Sequence, residues 1–262
     1  MPKVISVASG KGGVGKSSLV VNLSLHMQEH YGPTLLVDSD LLMANSHILL
    51  NTQPENDIVD VLNGHSKWRD AVHKISSGLT LLPGRTAANV LLESEAAKMK
   101  NLIGNLKEEG QEFDYIVVDT PAGSGIGVLD VLSVSDYAVI VILGQATSFV
   151  DAYTLIKNAY LERQVTRFST VVNMAKSPDQ AKIIFEKFKC VVDQFLSVEL
   201  TYNGFLPHMV DINSASIKGR QSQDVVAKAR IAAKIDPILK NMLAKPSGTG
   251  AAPDTSLQMR RL

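Results

Sequence analysis

Short apolar runs bounded by turn residues alternate with longer stretches whose apolar positions recur every three or four residues. "KVISVAS" (3–9), "TLLVDSD" (34–40), "GLTLLPG" (78–84), "YIVVDT" (115–120), "YAVIVIL" (137–143) and "FSTVVNM" (168–174) read as strands. They are apolar on both faces, the pattern of parallel strands covered by helices on both sides. Between them, residues 17–30 read as a helix with Leu19, Leu23 and Met27 on one stripe, and 91–109, 148–163 and 178–192 also read as helical. Val225 to Leu243 forms a further helical pattern, with Ile231, Ile235, Ile238 and Met242 on one side and Pro237 expected to kink or split it. That stripe is expected to pack on the sheet. This alternation predicts a doubly wound α/β fold with a mainly parallel sheet. No internal repeat or second domain is evident: residues 1–244 read as one domain, and 245–262, opening with "KPSGTGAAPDTS", as a linker and short tail.

The chain has 262 residues, 45% apolar and 20% charged, the composition of an ordinary globular protein. Lys plus Arg, at 26, equals Asp plus Glu, so no global charge draws it to nucleic acid or anionic lipid. A single cysteine, Cys190, excludes an internal disulfide and suits a reducing compartment. The N-terminus enters a strand pattern at once, without the features of a signal peptide. No run of about 18 apolar residues suggests a spanning helix. A cytoplasmic location follows as the expectation.

The chemistry concentrates in "SGKGGVGKSS" (9–18). Gly10, Gly15, Lys16 and Ser17 satisfy G-x-x-x-x-G-K-[ST], after a strand pattern and before a helix. Gly10, Gly12, Gly13, Val14, Gly15, Lys16, Ser17 and Ser18 are therefore the candidate cradle for a nucleotide's phosphates. Glycines let backbone N–H groups converge on phosphate, and the helix start adds roughly half a positive charge. Lys16 is expected to reach the β- and γ-phosphates and Ser17 to supply a hydroxyl to Mg²⁺. The alternative is a glycine-rich turn without a ligand. Asp38, Asp40 and Asp119 stand at the ends of strand patterns, where ligands bind in such sheets, so all three can converge there. Each could instead be a turn or capping aspartate.

These residues resemble the deviant Walker A ATPases of the MinD/ParA class, marked by KGGVGK[ST] with Lys11 as well as Lys16. "DSDLLMAN" (38–45) and "DTPAG" (119–123) look like its two switches. The resemblance implies ATP hydrolysed to ADP with Mg²⁺. It implies that Asp40 positions the attacking water, that Asp38 and Asp119 belong to the metal shell, Asp119 through water, and that Asn173 reads adenine. It also implies an ATP-dependent homodimer in which Lys11 crosses to the partner's phosphates; slow turnover is then expected, because such a dimer must outlast its signalling task. Further segments, among them 151–157, 171–177, 191–207 and 219–223, resemble the FlhG (FleN, YlxH) branch, which controls flagellar number and placement. The similarity runs over nearly all of 3–243.

An FlhF-like GTPase or another polar protein is then the expected partner. The chain begins at its first strand, however, without the glutamine-containing segment through which that branch engages the GTPase. Two further departures are the segment "GQATSFVDAY", which lacks a usual proline, and Leu42-Met43 in place of a glycine-leucine pair. The tail carries Leu257, Met259, Arg260, Arg261 and Leu262, so peripheral membrane contact and a disordered terminus both remain open. A DNA-bound partition ATPase would use the basic run 218–234, which otherwise reads as a solvated helix face. A MinD-type regulator of the division site is the other alternative. Iron–sulfur relatives need paired cysteines, and the tyrosine-kinase relatives a terminal tyrosine cluster; this chain has neither.

Overall fold

In the computed structural model, residues 1–41, 43–85, 92–207 and 225–244 are described. Eight strands form one sheet: β1 (Lys3–Ser9), β2 (Thr34–Asp38), β3 (His73–Lys74), β4 (Leu79–Leu82), β5 (Tyr115–Ala122), β6 (Tyr137–Ile142), β7 (Arg167–Ala175) and β8 (Glu199–Pro207). Their order is β3-β4-β2-β5-β1-β6-β7-β8, and only the β3–β4 pair is antiparallel. The helices are α1 (Lys16–His30), α2 (Ser46–Leu49), α3 (Ile58–Leu62), α4 (Trp68–Ala71), α5 (Leu92–Glu109), α6 (Ile126–Val134), α7 (Ala146–Arg163), α8 (Pro178–Phe195) and α9 (Val225–Leu243).

Strand alternation divides the core into two layers. Ile5, Val7, Leu36, Val117, Val139 and Val171 face α1 and α9, where Leu19, Leu23, Met27, Ile231, Ile235, Ile238 and Met242 meet them. Val4, Leu35, Val37, Ile116 and Val118 face the other way, onto Met99, Ile103 and Leu106 of α5. Ala8, Ile140 and Val172 pack on α6, α7 and α8 through Leu129, Leu155, Ile156 and Phe188. The doubly wound architecture and both helix stripes thus stand as the pattern predicts.

Several boundaries differ. β2 ends at Asp38, placing Asp40 in the following loop. β5 continues past Asp119 to Ala122, and β7 past Asn173 to Ala175. Pro237 does not split α9, which runs unbroken with the proline inside. β3, β8, α6 and the short helices α2–α4 are additions. Leu42, the segment 219–223, the start of the basic run and the tail 245–262 lie outside the described residues. Among the described residues, no helix is long and apolar enough to cross a membrane.

Candidate functional site

β1 lies between β5 and β6, so the chain leaves its carboxyl end at the point where connections diverge to opposite halves of the sheet. The loop that follows is folded tightly. Ser9 Oγ donates to the Lys11 carbonyl at 2.9 Å, and the Gly123 N–H donates to the Ser9 carbonyl at 2.8 Å. A Cβ on Gly10 would lie 2.2 Å from the Asp151 backbone, so only glycine lets the loop press against α7. Gly13 and Gly15 have φ of 76° and 81°, the left-handed region that glycine enters without steric cost. Gly15 is the N-cap of α1 and supplies no side-chain cap. The first N–H groups of α1 and its dipole suit an anion.

Lys16 opens α1 and is buried. Its Nζ donates to Asp119 Oδ1 at 2.5 Å, and Asp119 is equally enclosed. Asp119 on β5 is in register with Asp38 on β2, so two buried carboxylates stand side by side with one ammonium. Asp38 accepts from the N–H groups of Ser46 at 2.9 Å, Asn45 at 3.1 Å and Asp40 at 3.3 Å. Burial, and then the neighbouring Asp119 carboxylate, push its carboxyl up to about 6, against the opposing hydrogen bonds from Ser46 and Asp40. Ser39 fixes the other side, donating both N–H and Oγ to the Asp119 carbonyl at 2.9 and 2.8 Å.

Asp40 is half-buried, and its Oδ1 accepts the Met43 N–H at 2.9 Å, closing a turn. Lys11 turns away from the Lys16–Asp119 pair: its Nζ donates to Gln145 Oε1 at 3.1 Å and Thr147 Oγ1 at 2.9 Å, where α7 begins. Asn173 is buried, with its Nδ2 donating to the Val14 carbonyl at 2.7 Å. Ser17 and Ser18 follow Lys16 in the first turn of α1. The fold therefore gathers the loop, Asp38, Asp119 and Asn173 at one edge of the sheet. Sequence reasoning missed Ser39, Gln145 and Thr147; the last two lie in the segment "GQATSFVDAY", noted for its absent proline.

The donor set Ser17, Asp38 and Asp119 is all oxygen, which suits a hard cation such as Mg²⁺. Among the described residues no cluster of three or more metal-ligating His, Cys, Asp or Glu side chains forms a cage. Mg²⁺ commonly retains waters and phosphate oxygens, so one or two carboxylates and a hydroxyl fit it.

The family model described as an AAA domain matches residues 2–167. Antiactivator FleN of Pseudomonas aeruginosa is 32% identical over 241 residues, spanning 89% of this chain and 86% of that protein. The solved MinD cell division protein of Aquifex aeolicus superposes with a TM-score of 0.72 at 25% identity, covering 93% of this chain and 98% of that one. The chain belongs to the MinD/ParA family of P-loop ATPases. A second relative of this ATPase is the flagellum site-determining protein YlxH of Helicobacter pylori. It is 31% identical over 205 residues, covering 77% of this chain and 68% of that protein.

The raised Asp38 carboxyl gives the ATPase a testable pH signature. A carboxyl whose folded value exceeds its unfolded value favours folding at low pH; that advantage is lost as pH rises from about 4 to about 6. At neutral pH the ionised group costs up to about 3 kcal/mol. Asp38→Asn keeps a carbonyl acceptor and removes the charge. Its stability relative to wild type, in nucleotide-free denaturant melts, is expected to rise through this window and level off above it. A difference that stays constant from pH 4 to 8 would contradict that origin.

Proposed function

We propose that this ATPase hydrolyses ATP slowly while cycling between a monomer and an ATP-bound dimer, and that the dimer regulates the number or placement of flagella or another polar structure. The observation carrying the reading is the second lysine. Lys11 is held by a neutral amide and a hydroxyl, and no carboxylate pairs with it among the described residues. Such bonds to neutral acceptors exchange readily for ion-paired ones to a phosphate. Its own loop already contains Lys16, so a second subunit's phosphates are the natural destination. The relatives' names, an antiactivator and a flagellum site-determining protein, support the cellular role.

In this mechanism Lys16 would exchange Asp119 for the β- and γ-phosphates, leaving the Asp119 carboxylate without its ammonium partner. Ser17, Asp38 and, through water, Asp119 would hold Mg²⁺, whose charge neutralises the phosphate oxygens. Asp40 orients the attacking water, and Asn173 faces the adenine. Catalysis is then positioning and charge neutralisation. Slow turnover follows from a dimer that must outlast its signalling task.

Size-exclusion chromatography tests this directly. Asp40→Ala with ATP and Mg²⁺ is expected to elute as a dimer, and the same protein carrying Lys11→Ala as a monomer. Dimers in both cases would rule out the crossing lysine. Peripheral membrane contact is assigned to residues 245–262. Their removal is expected to abolish ATP-dependent sedimentation with anionic liposomes, and unchanged sedimentation would place the contact elsewhere. Counting flagella on cells lacking the chain tests the flagellar role; unaltered number and placement would exclude it and leave another polar structure as the target.

A further inference from the structure

We propose that Asn173 is a positioning residue for the phosphate loop as well as a contact for the base, so that one side chain couples the two ends of the nucleotide. The inference rests on the nucleotide-site reading above.

Asn173 is 6% exposed and sits inside β7, two residues before the strand ends. Its Nδ2 donates to the Val14 carbonyl at 2.7 Å, and its Oδ1 accepts the Met174 N–H at 2.8 Å. The partners fix the amide's orientation, because a carbonyl only accepts and an N–H only donates. The first bond reaches across to the loop one residue before the N-cap of α1.

Two backbone features make that reach possible. A Cβ on Gly15 would lie 2.4 Å from Asn173 Nδ2, so any side chain there would displace the amide. Met174 adopts φ of 57°, uncommon for a residue with a side chain, and the Asn173 side chain holds its N–H. Its methyl lies 3.7 Å from the same point above Gly15. The end of β7 is thus shaped around the loop.

An amide carries two N–H groups and an acceptor with two lone pairs. After Val14 and Met174 are satisfied, one donor and one acceptor site remain. That is the complement of an adenine edge, which offers N7 and the 6-amino group to an asparagine. The same residue can therefore hold the loop and meet the base.

Calorimetric titration of the full chain with Mg-ATP and with inorganic tripolyphosphate, which has no base, separates the two roles. Wild type is expected to bind both. Asn173→Ala is expected to weaken tripolyphosphate about tenfold, the scale of one lost buried hydrogen bond, and ATP by more. Asn173→Thr, which fits a strand but is too short to reach Val14, should behave alike and serves if the alanine variant folds poorly. Melting curves of the nucleotide-free variants separate loss of loop geometry from loss of fold. Tripolyphosphate binding unchanged in a folded variant, with ATP weakened, overturns the loop role and leaves the nucleotide site standing. A wild type that binds ATP but not tripolyphosphate also overturns it, because a held loop should retain the phosphates alone. A wild type that binds neither refutes the nucleotide site itself.

Discussion

Lys16→Ala is expected to lower the midpoint of thermal unfolding by roughly 10 °C, because breaking a buried ion pair costs about 3–5 kcal/mol. It is also expected to remove detectable ATP binding. Asp119 is 1% exposed and faces Asp38, itself 1% exposed, so without the ammonium two carboxylates share a site with no compensating cation among the described residues. One would have to take up a proton or draw in water, and the deficit should deepen as pH rises. Adding Asp119→Asn should recover most of the melting temperature but none of the binding. Calorimetry of the single and double variants checks both. A single variant that melts with wild type would show that the pair contributes nothing to the fold.

Asp40→Ala is expected to separate binding from chemistry. Turnover should fall about 10²- to 10³-fold, the range for a lost group that acts on the proton or charge of the transition state. ATP affinity should change only a few-fold. The structure explains the contrast: Asp40 lies beyond the end of β2, half-buried, and its carboxylate accepts a turn N–H, that of Met43. Losing that contact costs about 1 kcal/mol locally and leaves the buried Lys16–Asp119 pair intact. Phosphate release at saturating ATP and Mg²⁺ measures the effect. Turnover within tenfold of wild type would remove Asp40 from the water-positioning role. A raised KM with unchanged kcat would assign it to binding instead.

Elements whose identity rests on periodicity were legible in the sequence. β1, β2, β5 and β6 are largely apolar runs, and α1 and α9 carry apolar residues recurring every three or four positions. β8 was not, because "ELTYNGFLP" mixes polar positions and an Asn-Gly pair that reads as a turn; its Gly204 lies in the left-handed region against Ile238. α6 hides behind glycines, since "GSGIG" reads as loop until Val128, Leu129 and Leu132 are seen buried. Within the site, the loop and the aspartates announce themselves by motif. Their pairings do not. Lys16 meets Asp119 because β5 lies beside β1, and Lys11 meets Gln145 and Thr147 because the β6–α7 connection reaches the same edge. Asn173 is visible as a residue type, but its grip on Val14 depends on the shape of β7.

The strand order also bears on synthesis. The loop after β1 and the segment after β2 are made early, yet β5, which separates and pairs with both strands, is made much later. A nascent chain halted before residue 115 has its glycine loop and the carboxylate at the end of β2 but no β5 to seat them side by side. β6, which pairs with β1 on its other side, is later still. A nucleotide therefore meets an incomplete cradle on the first half of the chain, which lacks Asp119 and β6. Competence to bind ATP arrives only after the sheet's middle has been threaded, so fragments ending short of β6 should emerge as clients of chaperones rather than as small ATPases.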